Sequence, residues 1–238
     1  MLKKRLDQAM VDMGLVVSRS QAESYVKLGA VQVNGKTVAK AGYFVSPDSR
    51  ITLSQQEQYV SRAALKLASV AGLFKLDFSN KTVLDVGSST GGFTDYALKQ
   101  GAAKVIAVDV GTEQLHPSLR DNKRIELHEK TDIRNLKLNL KPDITLIDVS
   151  FISLRQVLPA VAALASDTTQ IVAMVKPQFE ASSKEVNKGV IKNDTIRRQI
   201  LKDFESWAKN MFILQAKADS QVAGAKGNKE RFYLLKKA

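Results

Sequence analysis

The chain has 238 residues, room for one large domain and one small one. Lys and Arg outnumber Asp and Glu by 36 to 24, a net charge of +12, and 44% of residues are hydrophobic, a balance that excludes wholesale disorder. With no cysteine, two histidines (His116 and His128) and no apolar run near the roughly 20 residues that span a bilayer, disulfide scaffolds, thiolate chemistry, histidine-rich metal centres and a spanning helix are excluded as well.

No apolar h-region follows Met1, so a secretory signal is not expected, and the reading is a cytoplasmic protein. The basic balance favours a polyanionic partner such as nucleic acid. Residues 1–58 carry eight basic and five acidic side chains, so the charge is not concentrated at the front of the chain.

Leu2, Leu6, Ala9, Met10 and Met13 recur at helical spacing, and Gly14 offers a stop. Ser18 with Gln21 resembles a capping box opening a second helix, whose buried face is Ala22, Tyr25 and Val26 and whose end is Gly29. Val31-Gln32-Val33-Asn34-Gly35-Lys36-Thr37-Val38 has alternating valines around Asn-Gly, the strongest short hairpin signal. Residues 1 to about 53 thus form a helix–helix–hairpin unit, and the polar run Ser54–Gln58 reads as a linker. From Tyr59 the pattern changes. Short apolar runs at Val83–Val86, Val105–Val110, Ile144–Asp148, Ile171–Val175 and Phe232–Leu235 alternate with helical segments, which predicts an α/β unit with a mostly parallel sheet over 59–238.

The segments Arg5-Leu6-Asp7, Gly14-Leu15, Ser18-Arg19-Ser20-Gln21-Ala22, Lys27-Leu28-Gly29 and Val31–Lys36 resemble, in this order, the S4 RNA-binding domain. The resemblance implies an α+β unit that reads structured RNA through shape and phosphates, with Lys4, Arg5, Arg19, Lys27 and Lys36, joined by Arg62 beyond the linker, as candidate contacts.

Leu84-Asp85-Val86-Gly87-Ser88-Ser89-Thr90-Gly91-Gly92-Phe93-Thr94-Asp95 places a Gly-rich turn between a strand and a helix, where a ligand can approach the backbone at the carboxyl edge of the sheet. Its spacing fits neither the G-x-G-x-x-G of dinucleotide sites nor the P-loop. A carboxylate at Asp85 suits a cationic ligand better than a pyrophosphate, and S-adenosylmethionine carries both an ammonium and a sulfonium. Asp109, ending the next strand, is placed to accept from ribose hydroxyls, and Asp132, after the third, from an adenine amino group; helix capping is the competing role for each. The ordered set Asp85/Gly87, Asp109, Asp132 resembles the motif series of Rossmann-like S-adenosylmethionine-dependent methyltransferases. The candidate cofactor residues are Asp85, Gly87, Ser88, Gly91, Phe93, Asp109, Asp132 and Asp148.

Asp148 and Lys176 end the fourth and fifth strands, on the edge that faces a cofactor crevice. Lys66 lies on the helix before the first strand, and Glu230 precedes the last strand, reaching the same edge only if that strand runs antiparallel. The order Lys, Asp, Lys, Glu resembles the catalytic set of FtsJ-like RNA ribose 2′-O-methyltransferases. The phrases Tyr59–Arg62, Asp85–Asp95, Asp148–Leu154 and Val175–Glu180 are similar to the TlyA family, over nearly the whole chain. The chain departs from that pattern at Ala63-Ala64 and at Thr112–Pro117. The resemblance implies methylation of ribosomal RNA, on the free RNA or on ribosomal subunits, with no membrane and no obligate protein partner. It also implies Lys176 as base, Lys66 steadying the 2′-oxygen, and Asp148 and Glu230 orienting the lysines. Two readings compete: an RNA-binding, ribosome-associated factor without turnover, and the membrane-active protein suggested by the haemolysin label the family often carries. The short termini are expected to narrow the range of substrates.

Overall fold

The computed structural model describes residues 3–16, 18–27, 29–53, 59–182, 186 and 189–238. The linker expected at 54–58 and the side chain of Lys27 lie outside what is described.

The front unit contains β1 (Lys4–Arg5), α1 (Leu6–Asp12), α2 (Arg19–Lys27), β2 (Val31–Val33), β3 (Lys36–Thr37), β4 (Phe44–Val45) and β5 (Ile51–Leu53). The helical spacing that begins at Leu2 does not carry helix through Lys4–Arg5. That dipeptide is extended and pairs with β4, because Tyr43 and Ala41 offer carbonyls to the amides of Leu6 and Asp7, which a helix start leaves without partners. Ser18 Oγ accepts from the Gln21 amide at 3.2 Å, the capping contact expected from sequence. The Asn34-Gly35 turn has φ of 51° and 78°, the left-handed pair a tight hairpin needs, and β2 pairs with β3 on one side and β5 on the other. Leu6, Met10, Ala22, Tyr25, Val26 and Val31 are fully buried between the helices and this small sheet.

The second unit contains α3 (Arg62–Ala71), β6 (Thr82–Val86), α4 (Gly92–Lys99), β7 (Lys104–Val108), α5 (Pro117–Arg120), β8 (Ile125–His128), β9 (Ile144–Ile147), α6 (Leu154–Leu164), β10 (Gln170–Val175), α7 (Pro177–Glu180), α8 (Asp194–Ala208), β11 (Phe212–Asp219) and β12 (Arg231–Lys237). The sheet order is β11-β12-β10-β9-β6-β7-β8. Strands β8, β7, β6, β9 and β10 are parallel, and β12 runs antiparallel to both neighbours. The central strands are apolar and buried along their length, as a sheet covered on both faces requires. The sequence expectation omitted β11. After the buried Phe212, its alternation of exposed and half-buried residues marks an edge strand with one packed face. The order in which successive strands are added reverses between β6 and β9, which opens a crevice at the carboxyl ends of the strands. Among the described residues no helix is long and apolar enough to cross a membrane.

Candidate active site

Strand register fixes which residues meet at this edge. Ile147 pairs with Val86, and Val86 with Val108, so Gly87, Asp148 and Asp109 each leave the sheet one residue later, at one level. Val175 pairs with Arg231 of the antiparallel β12, so Lys176 and Glu230 leave side by side. Lys66 reaches the same place from α3. The structure brings these four together as two ion pairs: Lys66 Nζ lies 2.6 Å from Glu230 Oε2, and Lys176 Nζ 2.5 Å from Asp148 Oδ1. All four side chains are at most 15% exposed. Lys176 Nζ also donates to Ser150 Oγ at 2.7 Å.

Beside them runs the cleft. Its larger part, about 360 Å³, is lined by Gly87, Asp109, Asp132, Asp148 and Phe151 among others. A smaller part, about 140 Å³, is lined by Asp85, Ser88, Gly92, Phe93, Asp148 and Lys176, and the two share Gly87, Ser89, Asp148 and Ser150. Gly87 has φ of 81°, and a Cβ there would lie 2.8 Å from the Asp148 carbonyl, so only glycine lets the two strand ends approach. Asp85 is buried, and Thr94 Oγ1 donates to its Oδ2 at 2.6 Å. Burial, reinforced by the charges of Asp148 and Asp109, pushes its carboxyl up to about 7 against the hydrogen bond from Thr94. Its Oδ1 and the Ser88 Oγ are buried with no hydrogen-bond partner among the described residues. Two buried polar atoms without partners in a cleft, a carboxyl oxygen and a hydroxyl, are costly unless a ligand meets them. A cationic ligand with donor groups fits them, so the donor set suits S-adenosylmethionine.

Other expected residues sit differently. Asp109 accepts from the amides of Ser89 (2.8 Å) and Gly111 (2.7 Å), which fastens the Gly-rich turn to the end of β7. Asp132 caps a single 3-10 turn at 133–135 and forms a forked pair with Arg134, so the competing capping role is present at this cleft-lining residue. Gly91 does not line the cleft; a Cβ on it would meet Leu115 and Leu119 at 2.6 Å. Phe93 lines the smaller part of the cleft but is buried, 6.2 Å from the Phe232 ring.

In the front unit Arg5 and Arg19 both pair with Asp7, holding its carboxyl down at about 2 mainly through the Arg5 hydrogen bond; Lys4 pairs with Asp12, and Lys36 is exposed on the hairpin. Arg62, expected to contact RNA, has partners within the protein. Its guanidinium donates to Ser24 Oγ of α2 (3.2 Å) and to the Ala223 carbonyl (2.9 Å), so it joins the front unit to the turn before Glu230.

Sequence reasoning passed over three residues here. Ser150 touches Lys176. Phe151 is 90% exposed, lines the cleft, has φ of 65° and sets its ring at a tilt against that of Phe179, centroids 5.2 Å apart. A bulky side chain in that conformation costs about 1–3 kcal/mol and persists only where its surroundings hold it. Gly224 is the third; a Cβ on it would stand 2.2 Å from Glu230 Oε1. An aromatic three residues after the strand-end acid Asp148 is the signal that marks Phe151.

Residues 59–237 match the FtsJ-like methyltransferase family and residues 4–51 the S4 domain. The chain is 38% identical over 232 residues to Hemolysin A of Brachyspira hyodysenteriae, which covers 95% of this chain and 97% of that protein. It is 38% identical over 197 residues to the 16S/23S rRNA (cytidine-2′-O)-methyltransferase TlyA of Mycobacterium tuberculosis, covering 81% of this chain and 74% of that one. A solved Streptococcus thermophilus protein, titled as a hemolysin candidate, superposes with a TM-score of 0.74 at 36% identity, over 100% of this chain and 90% of that one. A Listeria monocytogenes structure titled as an S-adenosylmethionine dependent methyltransferase candidate shares the fold, with a TM-score of 0.55 at 17% identity over 75% of this chain and 100% of that one. With an S4 domain leading an FtsJ-like sheet, and with these relatives matched along most of their length, the chain belongs to the TlyA family of FtsJ-like methyltransferases.

Proposed function

We propose that the protein methylates a ribose 2′-hydroxyl of ribosomal RNA, with the S4 unit (1–58, linker included) docking the RNA and the sheet unit (59–238) carrying the chemistry. The observation that carries this reading is the pair of buried Lys–carboxylate contacts on one sheet edge beside a cleft suited to a cationic ligand. The matched rRNA (cytidine-2′-O)-methyltransferase supplies the substrate class.

S-adenosylmethionine, when bound, supplies an electrophilic methyl on a sulfonium. Asp85, Gly87 and Ser88 would face its cationic end, Asp109 its ribose and Asp132 its adenine, with Asp148 at the boundary, Phe93 backing the smaller part and Gly91 shaping the turn from behind. A ribose hydroxyl is a poor nucleophile and must lose its proton as it attacks. Lys176 takes that proton, held in place by Asp148 and Ser150. Lys66, fixed by Glu230, steadies the developing negative charge on the 2′-oxygen. The remaining work is positioning, which alone contributes about 7–11 kcal/mol in well-oriented systems. The exposed Phe151 ring gives a splayed-out target base a surface on which to stack. Lys4, Arg5, Arg19, Lys27 and Lys36 meet phosphates on the S4 side.

The test is to incubate the purified full chain with methyl-labelled cofactor and separated small and large ribosomal subunits, then map the label by mass after nuclease digestion. Label on a ribose 2′-oxygen supports the reading. Label on a base, or cofactor and RNA binding with no transfer, contradicts it; the second result would leave an RNA-binding factor without turnover.

A further inference from the structure

The ladders of β9 and β10 end at Ile147 and Val175, and one further backbone bond, from the Asp148 amide to the Val86 carbonyl (3.0 Å), follows on the β9 side. Lys176 and the stretch after Asp148 lie beyond that support, on segments that the sheet does not align. Three contacts lace those segments together in order. Lys176 Nζ donates to Ser150 Oγ, the Phe151 ring lies at a tilt against Phe179, and the Glu180 carboxylate receives both Ser153 Oγ (2.6 Å, to Oε2) and the Leu154 amide (2.7 Å, to Oε1). The third is the strongest tie, since a carboxylate accepting two short hydrogen bonds at the first turn of α6 also meets the positive end of that helix.

A plain helix cap does not need this arrangement. Ser153 already caps α6, its Oγ accepting from the Arg155 amide at 3.1 Å. Glu180 comes from a segment 26 or 27 residues further along, its side chain is 1% exposed, and among the described residues its nearest cation is Arg155 Nε at 3.8 Å. Burying a carboxylate so deeply is costly, and an apolar residue would pack there without that cost. What the carboxylate supplies is a fixed register between the two segments that carry Asp148 and Lys176. The strained backbone at Phe151 lies inside the laced stretch and needs such a restraint.

We propose that Glu180 is a positioning residue for methyl transfer: it locks the 148–154 segment against the 176–180 segment so that Asp148 and Ser150 stay on Lys176 Nζ. It touches neither RNA nor cofactor. The inference rests on the reading of Lys176 as proton acceptor.

The experiment compares wild type, Glu180→Ala, Glu180→Gln, Ser153→Ala and Lys176→Ala as full chains, with single-turnover methyl transfer at saturating cofactor and RNA, cofactor affinity, RNA affinity and thermal melting. Glu180→Ala lowers the single-turnover rate about 100-fold, the size of effect that a misplacement near 1 Å produces, while cofactor and RNA affinities stay within about threefold. Glu180→Gln restores the rate to within about threefold of wild type, because the amide oxygen accepts from Leu154 and its NH₂ donates to a rotated Ser153 hydroxyl. Should Glu180→Ala not fold, Ser153→Ala, which removes one of the two anchors, still lowers the rate about tenfold. A wild-type rate in the Ala variants overturns the inference. So does a loss in which rate, cofactor affinity and folded fraction fall together and Gln does not rescue. Lys176→Ala separates the two levels: if it remains active, the reading of Lys176 fails; if it is silent while Glu180→Ala is active, only the role of Glu180 fails.

Discussion

At Asp85 two demands of the site oppose each other. Burial favours the neutral acid and raises its carboxyl from the ordinary 3.8 to about 7, whereas a bound cation favours the carboxylate. The folded-state value lies above the unfolded one. The stability Asp85 contributes to the ligand-free protein is therefore fully present below about 3.8 and is lost as pH rises through about 7. For ligand binding the sign is reversed. Affinity for S-adenosylmethionine rises with pH up to about 7, then levels, and binding below that pH releases a proton. Calorimetry in buffers of differing ionisation enthalpy measures the released proton. In Asp85→Asn both the pH dependence and the proton release flatten, and an unchanged proton release in that variant contradicts the assignment.

The turn between β11 and β12 delivers Glu230 to the edge, and Gly224 makes room for it. A Cβ at 224 would stand 2.2 Å from Glu230 Oε1 and 2.5 Å from its Cδ, so Gly224→Ala displaces the end of that side chain while the fold can remain. The expected result is a loss in turnover of at least about tenfold with cofactor affinity and melting temperature retained, a size set by misplaced catalytic groups. Unaltered turnover would show that the Glu230–Lys66 contact is dispensable. Much at this scale was legible in the sequence. Apolar strands that stop at Asp85-Val86-Gly87, Asp109, Asp148 and Lys176 announce a parallel sheet with polar residues at its carboxyl edge. The Asn34-Gly35 hairpin and the Ser18 cap are local codes with local answers. The pairing of each lysine with one acid was not legible, since linear spacing says nothing about which cation meets which carboxylate. The Gly-rich turn misleads in the same way. Gly91 faces Leu115 and Leu119, Gly92 faces Ser61 and Ala63, and only Gly87 adjoins both parts of the cleft. Glycine marks a close approach without saying what approaches. Glu180 and Gly224 left no local pattern, because their roles depend on segments distant in the chain.

Across the whole molecule, the front unit and the catalytic edge are mechanically joined. Arg62 ties Ser24 of α2 to the Ala223 carbonyl, and Gln21 Nε2 reaches the Tyr59 carbonyl at 3.5 Å. Arg62 also sits one turn before Lys66 on α3. Arg62→Ala is accordingly expected to lower turnover while leaving RNA affinity and its salt dependence near those of wild type. A phosphate contact would instead weaken RNA binding and reduce the salt slope by about one. Filter binding across a salt series, set beside single-turnover rates, tells the two apart.

The most direct measurement is single-turnover transfer of labelled methyl to ribosomal subunits by wild-type protein and by Lys176→Ala, with cofactor and RNA affinities measured on both. The account predicts label on a ribose 2′-oxygen with wild type, a rate at least about 100-fold lower with Lys176→Ala, the scale of a lost general base, and affinities within about threefold. Ribose methylation by Lys176→Ala at the wild-type rate would contradict it.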